Sequence, residues 1–168
     1  VGTSFGTLGA RREMMIGFLA EPAMLMTLFT ASLISQSTSL ATIVETLGHR
    51  EFVIYPSMAF AAVAFLMVLL AENARIPIDN PSTHLELTMI HEAMILEYSA
   101  RHLALIEWAS SLKLSAYITI GIAIFVPWGI AQAGDWAGLP IALAALVLKL
   151  AVAGAGLALL ETLSAKMR

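Results

Sequence analysis

The sequence predicts an all-α fold: a polytopic transmembrane helix bundle of about four spans, with a cytoplasmic loop and surface amphipathic helices. Three observations predict it. Of 168 residues, 59% are hydrophobic, against about 45–50% in a soluble globular domain. Mean hydropathy is +0.84, and the apolar residues gather in runs close to the ~20 that cross a hydrocarbon core about 30 Å thick. Charged residues make up only 12% of the chain, yet Glu72, Arg75, Asp79, Glu86, Glu92 and Glu97 crowd into one stretch. The net charge of −3 gives no reason to expect nucleic-acid binding. There is no cysteine, so this chain supplies no disulfide, no thiolate metal site and no iron–sulfur ligation.

Residues 1–10, VGTSFGTLGA, are small and glycine-rich and read as a loop or the end of an absent helix. Val1 in place of Met, and a last span followed only by SAKMR, are expected of a fragment of a longer membrane protein. The first span runs over about 14–34. Pro22 lies inside it and loosens the helix near Phe18. Glu21 lies there too, where an acid is costly unless protonated, paired or facing water. It either reaches the interface from a shallow span or is a proton-accessible carboxylate facing the bundle interior.

Residues 35–51 form a polar connection with a short amphipathic piece at 40–47. A second span follows over about 52–71, then a polar coupling loop over 72–113. Ile76 and Asn80 each precede a proline, which biases them to extended geometry and makes 73–81 a loop. A helix restarts near Ser82, with Glu86 in or near its first turn. On it, His84, His91 and Tyr98 share one stripe and Glu86, Glu97 and Arg101 another. Residues 102–113 are amphipathic and suited to the membrane surface, with Trp108 at the interface.

The third and fourth spans occupy about 114–130 and 141–160, joined by a turn-like QAGDWAGLP. Lys149 falls near the middle of the last, where it either snorkels or pairs inside the bundle. The whole of 1–168 reads as a single transmembrane domain. With four spans, Arg11, Arg12, Arg75, Arg101, Lys113, Lys166 and Arg168 share one side and Arg50 takes the other, which puts 72–113 in the cytoplasm.

No Ser–His–Asp arrangement or phosphate-binding glycine loop is visible. His84 and His91 stand about 10 Å apart along a helix, too far to share an ion, and His91–Glu92 is not followed by the histidine of a zinc motif because position 95 is isoleucine. What remains is Glu21, Glu72, Asp79, Glu86, Glu97 and Lys149, ionisable groups at or within spans, where such groups mark ion or proton pathways. The competing reading is a solvated loop whose charges only keep it out of lipid.

Glu72, Arg75, Pro77, Asp79, Pro81 and Glu86–Leu87 resemble the E-x-x-R-x-P-x-D-x-P-x-x-x-x-E-L loop of the proton-channel (H-type) subunit of complex I, the NADH dehydrogenase subunit 1 family. Glu97–Tyr98–Ser99 is similar to that family's Glu-Tyr-Ser, and GARRE with Glu21 resembles its preceding helix. Complex I carries further acids where this chain has Ser82 and His84, and its Glu-Tyr-Ser comes three residues sooner. RIPIDNPSTHLELTMIHEAM looks more like the membrane-anchor subunit of formate hydrogenlyase and hydrogenase-4 type energy-converting nickel–iron (NiFe) hydrogenases.

The resemblance implies a non-catalytic membrane subunit of an oxidoreductase complex in a prokaryotic cytoplasmic (inner) membrane, with no cofactor of its own. Its partners would be hydrogenase large and small subunits, iron–sulfur subunits and antiporter-like membrane subunits, with iron–sulfur clusters and the NiFe site on those partners. Arg75, Pro77, Asp79, Pro81, His84 and His91 would organise and dock the loop. Glu21, Glu72, Asp79, Glu86 and Glu97 would pass protons; Lys149 joins them by its depth alone. The alternatives are a quinone-binding H-type subunit of NADH:quinone oxidoreductase, a stand-alone ion transporter, and a passive anchor.

Overall fold

The computed structural model describes residues 4–49, 55–76, 78–79, 90–91, 95, 98–131, 134 and 136–166. Every regular element among them is helical: α1 (Ser4–Ser35), α2 (Leu40–His49), α3 (Pro56–Glu72), α4 (Ala100–Phe125) and α5 (Leu139–Lys166). Pro77, Pro81, His84, Glu86, Glu92 and Glu97 lie outside the described residues, as does most of the helix expected from Ser82.

Helix α1 has 32 residues, about 48 Å at 1.5 Å each, so it outruns a hydrocarbon core of about 30 Å. Residues 4–10, read from composition as a loop or helix remnant, are its first two turns. Two glycines there cost about 1 kcal/mol each in helix propensity, a weak preference that tertiary packing overrides. Pro22 sits inside α1 without ending it. The helix stops where Gln36 turns left-handed at φ 55°, with its Nε2 donating to the Leu33 carbonyl at 2.6 Å.

The short α2 then folds back with Ile43 inward. Ala31, Ile43 and Ile124 form a small buried cluster flanked by Leu28, Leu47 and Phe125, which ties α1, α2 and α4 together. Pro56 opens α3 at a position where the missing N–H costs nothing. Helix α3 buries Ala61, Phe65, Val68, Leu69 and Leu70 and packs most extensively on α1. It ends at Glu72, where Ala74 adopts φ 47° and the Arg75 N–H donates to the Leu70 carbonyl at 3.0 Å.

Helix α4 joins the stretch 102–113 and the apolar run from 114 into one continuous helix of 26 residues. No break falls at Lys113, because the Ser110, Ser111 and Ser115 hydroxyls donate to carbonyls of the preceding turn rather than opening it. The helix ends at Phe125, short of 130, just ahead of Pro127. Its Gly121 admits Phe65: a Cβ there would stand 2.7 Å from the Phe65 ring, which itself stacks on Phe125 at 5.6 Å and a tilt of 55°. Helix α5 packs on α4.

Helices α1, α4 and α5 are long and apolar enough to cross a membrane, and α3 is an apolar helix of 17 residues. Large apolar side chains point outward along them, Phe18 and Phe60 both 78% exposed. An outer surface of this kind suits lipid, and helices satisfy their own backbone groups there.

Candidate functional site

The charged residues converge where α1, the end of α3 and the loop after it enclose a cavity of about 410 Å³. Helix α1 contributes Glu13, Gly17 and Glu21, four residues apart and therefore on one face. Gly17 brings the α1 backbone close to Glu72; a Cβ there would lie 3.9 Å from Glu72 Oε1, an ordinary contact. Pro22 withholds the N–H that would otherwise meet the Phe18 carbonyl, which loosens the α1 backbone beside Glu21.

Glu72, the last residue of α3, is the most enclosed of the acids that line the cavity, its side chain 10% exposed. Its Oε2 accepts a hydrogen bond from Lys113 Nζ at 2.7 Å, and the same ammonium donates to the Glu72 backbone carbonyl at 2.7 Å. A cation at the C-terminus of α3 also complements the helix dipole. The other carboxylate oxygen, Oε1, is buried and has no hydrogen-bond partner among the described residues. The Tyr117 ring lies below Lys113, its centroid 6.0 Å from Nζ.

The loop is fastened to this corner by two acids. Asp79 is buried, 3% exposed, and accepts from the backbone N–H groups of Ile90 at 3.1 Å and His91 at 2.8 Å. It therefore bridges the two ends of the loop segment as a capping carboxylate does at a helix start. Glu13 Oε1 lies 3.5 Å from His91 Nδ1, linking the loop to α1. Arg75 accepts at its carbonyl from the Ile78 and Asp79 amides, closing a tight turn. Its guanidinium reaches Glu161 of α5 at 3.3 Å.

Of the residues singled out in the sequence, Glu21 and Glu72 line the cavity, and Asp79, Arg75 and His91 hold the loop against it. Lys149 is not among the lining residues. Its ammonium donates to the Val126 carbonyl at 2.7 Å and to the Trp128 carbonyl, just past the end of α4. Glu86, Glu97, His84, Pro77 and Pro81 lie outside the described residues.

Two participants escaped the sequence reading. Glu13 shares an i, i+4, i+8 stripe with Gly17 and Glu21, a signal present in the sequence. Lys113, the last charge before an apolar run, gives no local hint of a partner 41 positions away. Among the described residues no group of three or more His, Asp or Glu side chains could hold a metal ion.

A sequence model of the family described as NADH dehydrogenase matches residues 1–168. The chain is 30% identical to formate hydrogenlyase subunit 4 of Escherichia coli (strain K12) over 167 residues, 99% of this chain and 53% of that protein. It is 33% identical to hydrogenase-4 component C of the same organism over 132 residues, 78% of this chain and 40% of that protein. It thus spans about half the length or less of these curated relatives. A match along every residue, joined to a bundle of long apolar helices, makes this chain a multi-pass membrane member of the NADH dehydrogenase family.

Proposed function

We propose that the protein is the membrane subunit of a formate hydrogenlyase or hydrogenase-4 type complex, anchoring a nickel–iron hydrogenase arm and coupling its electron transfer to proton translocation. The observation that carries this reading is the cavity: acids on α1 and α3 face it while the loop is fastened to its rim through Asp79 and His91. A loop so attached transmits a movement of a docked partner directly to the groups that line the cavity. Glu21 and Glu72 are the proton-passing groups inside it, with Glu86 and Glu97 continuing the path and Arg75 and Asp79 holding the docking loop in shape. Ionisable groups placed at membrane helices serve this kind of task.

The two relatives, a formate hydrogenlyase subunit and a hydrogenase component, support a hydrogenase arm over a quinone-reducing one. In this reading hydrogenase large and small subunits and iron–sulfur subunits dock on the 72–113 side, which faces the cytoplasm of a prokaryote. Antiporter-like subunits flank the bundle in the cytoplasmic membrane. Clusters and the nickel–iron site belong to those partners.

The test is a mild-detergent affinity purification of the full-length tagged protein from native membranes, with partner identification and an assay of viologen-linked hydrogen evolution. A nickel–iron large subunit with hydrogen activity is the expected result. NADH dehydrogenase subunits with quinone reduction would overturn it in favour of a respiratory complex, and absence of any redox partner would overturn it in favour of a transporter.

A further inference from the structure

A second cavity has the opposite character to the acid-lined one. It is a slot of about 500 Å³ among α3, α4 and α5, and every side chain that lines it is apolar. Helices α3 and α5 each pack on α4, so α4 forms the floor, with Ile122, and the other two form the walls. Leu66 on one lip and Leu160 on the other are exposed, which opens the slot to the outer surface. On α5, Lys149, Ala153, Leu157 and Glu161 recur at every fourth position and so share one face. The middle two line the slot. The outer two mark its ends: Lys149 Nζ donates at 2.7 Å to the carbonyl of Val126, itself a lining residue, and Glu161 meets Arg75 at 3.3 Å. From 149 to 161, at 1.5 Å per residue, the slot runs about 18 Å. One leaflet contributes a similar depth, about 15 Å, to the hydrocarbon core.

We propose that this slot holds one acyl chain of a membrane phospholipid, with the phosphate of that lipid beside Arg75. An apolar void stays dry, and walls without a partner forfeit their dispersion contacts, so a chain from the bilayer gains by entering. A helix is about 10 Å across and over 18 Å displaces roughly 1,400 Å³, well beyond the slot, whereas one extended chain is narrow enough to lie along it. The two ends are chemically unequal. At one, the Lys149 ammonium is turned to the main-chain carbonyls of Val126 and Trp128, so that end is a stop rather than a mouth. At the other, the Arg75 side chain is 38% exposed and meets Glu161 through Nη1 alone among the described residues. A guanidinium carries five N–H donors in a fork that suits phosphate, and the donors beyond the Glu161 contact serve a headgroup oxygen.

The test loads native membranes containing the whole complex with phosphatidylglycerol that carries a diazirine midway along one acyl chain. The complex is solubilised in mild detergent, freed of unbound lipid and irradiated, and the labelled residues are mapped by mass spectrometry. Retained lipid is expected to label Ile122, Ala153 and Leu157 several-fold more than Val152 and Leu159, which are exposed on α5. Ala153→Phe, which fills the slot, is expected to lower that label several-fold; where this variant fails to assemble, Ala153→Leu gives the same reading. Arg75→Gln is expected to lower the amount of lipid retained several-fold without moving the label to other residues. Equal labelling of slot and exposed residues would overturn the proposal, and so would a slot left unlabelled because a neighbouring subunit's helix covers it. An Arg75→Gln complex that retains as much lipid as the wild type would overturn the placement of the phosphate.

Discussion

Two lysines sit beside helix C-termini in this protein, and they do different things with the same chemistry. Lys149 closes the end of α4 by donating to the carbonyls of Val126 and Trp128, and no acid among the described residues pairs with it. Lys113 closes the end of α3 in the same manner, through the Glu72 carbonyl, but the residue it grips also carries a carboxylate. In the first corner the cation meets carbonyls of the chain just past a helix that stops at Phe125, ahead of Pro127. In the second it holds a carboxylate as well, beside a cavity. Depth in an apolar span is thus a poor guide to role: the deeper lysine has the contacts of a structural fastening, and the one at the margin holds the acid.

Breaking the Lys149 corner should have the largest effect on stability. Lys149→Met removes charge-assisted hydrogen bonds to carbonyls at the α4 end and should destabilise the fold by about 2–3 kcal/mol. A lowered thermal midpoint of the detergent-solubilised protein, with protons moved per hydrogen molecule unchanged in what assembles, is the expected outcome. Altered stoichiometry in this variant would erase the distinction between the two corners.

Gly121→Ala probes the packing that joins them, since Phe65 of α3 rests on Gly121 of α4. A Cβ 2.7 Å from the ring forces the phenyl to shift, at about 1–3 kcal/mol. A wild-type thermal midpoint would show that the two helices slide freely there.

Smaller again is the effect of Asp79→Asn, which weakens the acceptor for the Ile90 and His91 amides by about 1 kcal/mol. Faster hydrogen exchange at those two amides, with the midpoint little changed, is expected; unchanged exchange would deny the carboxylate its part in the loop. Arg75→Gln should matter least, under about 1 kcal/mol, because its contact with Glu161 is partly solvent-exposed. Its thermal midpoint should stay close to wild type.

How much of this was legible beforehand follows from the range of each interaction. Apolar run lengths depend only on neighbours in sequence, so the helical character of 14–34, 56–71 and 141–160 could be read directly. That the chain leaves its helix after Glu72 was legible because the sequence there abandons apolar periodicity, but the turn closed on the Arg75 carbonyl was not, since the proline after Ile76 pointed only to an extended loop. Glu21 and Glu72 stood out as acids beside apolar runs. The continuity of α4 was not legible, because an amphipathic stretch followed by an apolar one looks alike whether or not the helix breaks between them. The end of α4 near Phe125 was also missed, although Pro127 is its local signal. Side-chain partners were hidden altogether. Lys113 finds Glu72, Arg75 finds Glu161 and Lys149 finds Val126 only once three helices are docked, and a single sequence does not encode that register in any periodicity.

Whether Glu72 passes protons or only anchors is decided by the number of protons translocated per hydrogen molecule by the Glu72→Gln complex in inverted vesicles. The substitution keeps the side-chain volume and leaves the Lys113 bond to the carbonyl in place while removing the proton-accepting oxygen. A stoichiometry several-fold below wild type is expected, with dye-linked hydrogen evolution and subunit composition retained. Wild-type stoichiometry in that variant would contradict it and make the acid-lined corner an anchor only.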